Sequence, residues 1–221
     1  MCIHLLRYNQ VMLCPLFRNV RIIGATPKFA SSVMGLTEAV LLMERAPAAV
    51  GLNIHFVSPH RMHQLNLEHR GVDQPTDVLT FPGSGSGTPG SKFLSEIILS
   101  EHDDCCASSN VDPSALARRR IVLQELGDIY FSVGYIWARC VRRPNRCLPF
   151  RDYLEAALSH ALLHALGYDH DTPEKLTKMA RREKFIKQRL SAWQRRCPTC
   201  LRELDGVEML TSRKTTNESS C

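Results

Sequence analysis

The run His160-Ala-Leu-Leu-His164-Ala-Leu-Gly167-Tyr-Asp-His170 decides how this chain is read. Residues four apart share one face of an α-helix, so His160 and His164 point the same way. Leu154, Ala157, Leu158, Ala161 and Leu162 surround them on nearly all sides, which predicts a helix buried at the centre of a fold. Two unpaired imidazoles on such a helix are costly unless something compensates them. Gly167 can take the left-handed conformation that ends a helix and turns the chain back, bringing His170 toward the other two. A single metal ion would satisfy all three rings. Three protein ligands leave a fourth tetrahedral position open, the arrangement of catalytic rather than structural zinc sites. Neutral imidazoles in this set suit Zn²⁺ best, while ligand type alone leaves Ni²⁺ and Cu²⁺ open.

The spacing matches the zinc-peptidase signature H-E-x-x-H-x-x-G-x-x-H with one difference. Position 161 is Ala, so the glutamate that serves a zinc peptidase as general base is missing. The run reads as a metal site that is not built for peptide hydrolysis. Asp169 beside it is either an orienting partner for a ligand or a solvated turn residue.

Working outward, Pro149 opens the histidine-bearing helix, and Thr172-Pro173 opens a last helix as cap and first position. Leu176, Met179, Ile186, Leu190 and Trp193 give that last helix an inward stripe. Its other faces carry Lys and Arg, which form either a solvated face or a surface for nucleic acid. Arginines at 139, 142, 143 and 146 would extend such a surface.

Upstream, Val20 to Ile23 reads as a strand, and Thr26-Pro27 starts a helix that runs to about Ala46 before Pro47. Gly51 to Val57 alternates as a half-buried strand. Ser58-Pro59 caps a helix to about His69, closed by Gly71. Asp77 to Phe81 and Gly127 to Val133 are further strands, and a short helix follows near Tyr135 to Arg142. Helices and strands mix without regular β-α-β alternation. The expectation is a single-domain α+β fold, a small mixed sheet packed with helices, with the His pair on the central one.

Three segments stand apart. Residues 1–19 form an N-terminal lead, 83–123 an insertion that is Gly/Ser-rich at its start, and 196–221 a tail. The domain itself is expected over residues 20–195. No Asp or Glu precedes Glu38, whereas Arg7, Arg18, Arg21 and Lys28 are present, so the lead resembles an organellar transit peptide. The protein is therefore expected to be cytoplasmic or mitochondrial.

The composition agrees with a soluble globular protein: 221 residues, 44% hydrophobic, formal charge +6. No apolar run is long enough for a membrane span. Nine Cys at irregular spacing fit reduced intracellular thiols better than a disulfide framework. Cys197-Pro-Thr-Cys200 lacks the second pair a zinc ribbon requires.

Three elements together resemble the YbeY family of metal-dependent endoribonucleases. The first is the His160 to His170 run. The second is Arg70-Gly71-Val-Asp-Gln-Pro75-Thr76-Asp77-Val78-Leu79-Thr80-Phe81-Pro82, and the third is Leu126-Gly127-Asp128-Ile129. The resemblance covers about residues 20–195. Ala161 departs from the family's usual Gly, Thr80 from its Ser, and the insertion after Pro82 is long.

The resemblance implies one Zn²⁺ held by His160, His164 and His170, with Arg70 and His160 as the catalytic residues. It also implies a single-stranded ribosomal RNA precursor as substrate, and a ribosomal subunit or ribosomal protein as partner. Thr76, Asp77 and Asp128 would line the cleft or brace the sheet. Two rival readings stay in view: a zinc peptidase without its glutamate, and a non-catalytic ribosome-assembly factor with a structural metal.

Overall fold

Leu52 and Ile54 are fully buried while Asn53 and His55 face the other way, and this period of two makes Gly51–Phe56 (β2) an inner strand. The computed structural model describes residues 16–83, 125–142 and 148–196. Residues 1–15, nearly all of the 83–123 insertion, Arg143, Arg146, Cys197 and Cys200 lie outside them. The readings of the lead, the insertion and the tail therefore stay as expectations.

Among the described residues the sheet runs β1-β2-β4-β3, with β1 at Val20–Ile23, β3 at Val78–Pro82 and β4 at Glu125–Phe131. β1 and β4 pair parallel to β2, and β3 pairs antiparallel to β4, so the sheet is mixed as expected. β1 and β2 are joined by helix α1, Pro27–Met43. α2 spans Pro59–Arg70, α3 Val133–Arg142, α4 Phe150–Ala165 and α5 Pro173–Arg196.

The helix ends follow the local chemistry. Ser58 Oγ accepts the Arg61 N–H at 3.2 Å, and Gly71 closes α2 at φ +67°. Thr172 Oγ does the same for Lys175 at the start of α5. α1 stops at Met43, three residues short of the expected Ala46, because Arg45 turns left-handed at φ 56°. β4 begins at Glu125, two residues earlier than its sequence pattern indicates.

α4 is the hub. It packs against β3, β4, α1, α3 and α5, and Leu158, Ala161, Leu162 and Leu163 are buried in the main core. This explains its all-round apolarity. α2 closes a smaller cluster, in which Met62, Leu65 and Leu79 pack with Phe81 and Tyr130. Along α5, Met179, Ile186 and Leu190 are buried, but Leu176 is 54% exposed. The inward stripe therefore starts one turn later than expected, because the first turn of α5 stands clear of the core.

Gly127 shapes the joint between β3 and β4. Its φ of +99° is open to glycine, and a Cβ there would lie 2.1 Å from the Phe81 carbonyl oxygen. Gly127→Ala is expected to lower unfolding free energy by about 1–3 kcal/mol or more. Urea denaturation of the two proteins measures the difference.

Candidate metal centre

α4 delivers two of the three imidazoles directly. His160 Nε2 and His164 Nε2 face each other at 3.1 Å, as the i, i+4 spacing requires. The helix then ends in a pair of reversed hydrogen bonds. Gly167, at φ +88°, donates to the His164 carbonyl, and Tyr168 donates to that of Leu163, both at 2.9 Å. This turn swings His170 back over the pair, so one nitrogen from each of the three rings lies within 4.8 Å of the others.

The turn is anchored from behind. The Tyr168 hydroxyl donates to Glu44 at 3.1 Å, and Glu44 is paired with Arg182, which also donates to the Met43 carbonyl at 2.8 Å. The loop bearing His170 is thus tied to the end of α1 and to α5. Burial, then the negative charge of Glu44, pushes the Tyr168 phenol up to about 12, so it stays a hydrogen-bond donor. Asp169 shapes the last step, accepting the His170 N–H at 2.8 Å.

Glu183 on α5 reaches the first ring. Its Oε1 lies 2.7 Å from His160 Nδ1, and that hydrogen bond, outweighing burial, holds its carboxyl below the usual range. An ionised carboxylate can only accept, so Nδ1 carries the proton and Nε2 turns a lone pair into the cluster. His164 is held neutral by a different route. Burial, followed by repulsion from His160 and His170, depresses its pKa. The two Nε2 atoms lie 3.1 Å apart. Ligands of a tetrahedral zinc, each at about 2.0–2.1 Å, sit roughly 3.3 Å apart, so this pair has the spacing of zinc ligands and the third nitrogen lies within 4.8 Å of both.

The histidines form one wall of an open cleft of about 770 Å³. Arg70, Thr76, Asp77 and Thr80 line it as well, so the cleft joins the last residue of α2 to strand β3 and the histidine helix. Asp77 is held from three directions: Tyr153 OH at 2.5 Å, Thr76 Oγ1 at 3.0 Å and the Val78 N–H at 3.1 Å. Burial works to raise its pKa, but these hydrogen bonds outweigh it and leave the carboxyl more acidic than usual. Asp128 lies elsewhere. It bonds Asn53 at 3.0 Å and His55 at 3.2 Å and braces the sheet.

A family model for endoribonuclease YbeY matches residues 19–191. The chain belongs to the endoribonuclease YbeY family. A relative of that name from Brevibacillus brevis is 32% identical over 152 residues, 68% of this chain and 80% of that protein. One from Lachnospira eligens is 30% identical over 147 residues, 66% of this chain and 79% of that protein. The solution structure of a Thermotoga maritima protein is similar at 22% identity and a TM-score of 0.44, covering 78% of this chain and 92% of that one.

Sequence reading of this YbeY-family chain passed over Glu183 and Tyr153. Both left a trace. Glu183 falls four residues after Met179 and three before Ile186, a carboxylate inside an apolar stripe. Tyr153 precedes His160 by seven residues and so shares its helix face.

Glu183→Gln is expected to weaken metal affinity by about 10–100-fold, since a metal-binding histidine depends on the carboxylate behind it. A competition titration with a zinc chelator measures this. Tyr153→Phe is expected to cost stability at neutral pH. A depressed carboxylate stabilises the fold above its unfolded pKa, 3.8, and loses that contribution as pH falls through the folded value. The gap between wild type and variant should therefore narrow below pH 3.8, as read from denaturation midpoints against pH.

Proposed function

We propose that this protein is a zinc-dependent endoribonuclease that cuts single-stranded RNA during ribosomal RNA maturation. His160, His164 and His170 hold one ion, and Arg70 serves the reacting phosphate. The observation that carries the reading is the convergence of three imidazole nitrogens in a cleft that also contains Arg70. Membership of a family whose relatives bear the name endoribonuclease supplies the reaction class.

Bound among these rings, zinc would supply Lewis acidity and lower the pKa of water toward neutrality. The chain's own groups do the rest. Phosphodiester cleavage gathers negative charge on nonbridging oxygens, and the always-charged, planar Arg70 guanidinium meets that charge. Glu183, accepting at His160 Nδ1, orients that ring so that Nε2 faces the other two. Asp77 is too acidic to take up protons efficiently near pH 7, which suits it to orienting a donor rather than to general base catalysis.

The peptidase reading loses ground on position. Ala161 is fully buried among core residues on α4, so the place of a peptidase's glutamate faces the interior, away from any substrate. A ribosomal subunit or ribosomal protein is the partner this role calls for. Import into mitochondria rests on the acid-free leader alone, and the bacterial relatives lend it no support. Among the described residues no helix is long and apolar enough to cross a membrane.

Purified protein is expected to hold about one zinc per chain and to cut unstructured RNA in preference to duplex. His164→Ala should lose both metal and cleavage. Arg70→Ala should keep the metal and lose about 10²-fold or more in kcat. Metal analysis beside cleavage of a labelled single strand reads all of this. An Arg70→Ala protein that cuts normally would overturn the role given to Arg70.

A further inference from the structure

The last helix carries more positive charge than the whole chain does. α5 holds nine Lys and Arg against two Glu, an excess of seven, whereas the full sequence has a net +6. The rest of the protein is therefore close to neutral. Seven of the nine cations are exposed. An ordinary solvated helix face interleaves acids at i±3 and i±4. Here one of the two acids, Glu183, is turned inward to His160, and the other, Glu174, sits in the first turn.

Beyond that turn, Lys178, Arg181, Lys184 and Lys187 follow one another at i+3 with no exposed acid on the helix between them. Their mutual repulsion destabilises the free helix, and a polyanion would relieve it.

The charge is also continuous with the cleft. Lys175 lines it directly, paired with Asp171 at 2.8 Å. The Lys178 ammonium lies 5.8 Å from the ring of Tyr168, another cleft residue. Further along, Arg189 lies 5.3 Å from the ring of Phe185, which holds its guanidinium on that flank, whereas Arg182 on the same ring is taken up by Glu44. From Lys175 to Arg189 the helix rises about 21 Å.

We propose that the face of α5 carrying Lys178, Arg181 and Arg189 is a track for the phosphates of single-stranded RNA entering or leaving the cleft. The proposal rests on the endoribonuclease reading above and adds the path of the strand to it. An anionic membrane fits less well, because the apolar stripe that would enter lipid, Met179, Ile186 and Leu190, is buried in the core.

The test compares wild type with a K178Q/R181Q/R189Q variant, both zinc-loaded. Fluorescence anisotropy measures binding of a strand of about 20 nucleotides across a salt series, and gel assays follow its cleavage. Each phosphate contact on a single strand contributes about 0.7 to the slope of log affinity against log salt. The variant should therefore bind at least about ten-fold more weakly, with a slope shallower by about 2. KM should rise while kcat holds.

Equal affinity and slope in two proteins that both cleave RNA would overturn the track and leave the enzyme reading intact. Absence of RNA cleavage by zinc-loaded wild type would overturn the enzyme reading itself. Binding of phosphatidylserine vesicles or an acidic polypeptide that the variant loses, with RNA affinity unchanged, would also overturn the track. Should loss of the Arg189–Phe185 contact unsettle the fold, K178Q/R181Q reads the same effect with a slope change of about 1.4.

Discussion

A helix at the centre of the core cannot carry polar side chains without giving each of them a partner. α4 meets this constraint in a particular way. Its packed faces are mostly Leu and Ala, with Glu155 turned to Gln194 of α5, while His160 and His164 line the cleft and Tyr153 reaches Asp77 beside it. Each of these finds a partner. Tyr153 donates to Asp77, His160 meets Glu183, and the two imidazoles face each other at 3.1 Å. That last contact has about the spacing of two ligands on one zinc ion.

The remaining architecture holds this face open and supplies its opposite wall. β3, at an edge of the sheet among the described residues, packs against α4 and brings Thr80 to the cleft, with Asp77 just before it; Arg70 arrives from the end of α2 just upstream. Tyr168, Glu44 and Arg182 fasten the turn after α4 to two other helices. The site therefore draws on β3 and four helices, although its three histidines span only eleven residues of chain. Arg70 and Lys175, at the start of α5, line the same cleft as the histidines.

The local parts of this were legible in the sequence because they depend on short spacings. An i, i+4 histidine pair, a glycine in position to turn left-handed and Pro-started helices need no knowledge of tertiary contacts. Long-range partners were harder. Glu183 meets His160 across 23 residues and Asp77 meets Tyr153 across 76, and no local rule joins them. A charged residue within an apolar stripe was the available sign for Glu183. Leu176 failed for the opposite reason: helical periodicity continues past the point where the core stops, so the pattern alone placed it inside. Asp128 was left between cleft and sheet, and its bonds to Asn53 and His55 decide for the sheet.

The central claim is that three imidazoles, and no thiolate from the nine cysteines, hold the metal. X-ray absorption at the zinc edge of the loaded protein measures this directly. The account predicts a first shell of nitrogen and oxygen alone, three imidazoles at about 2.0–2.1 Å with one exchangeable light atom. A sulfur shell at about 2.3 Å, or a zinc spectrum that survives removal of His164 unchanged, would contradict it.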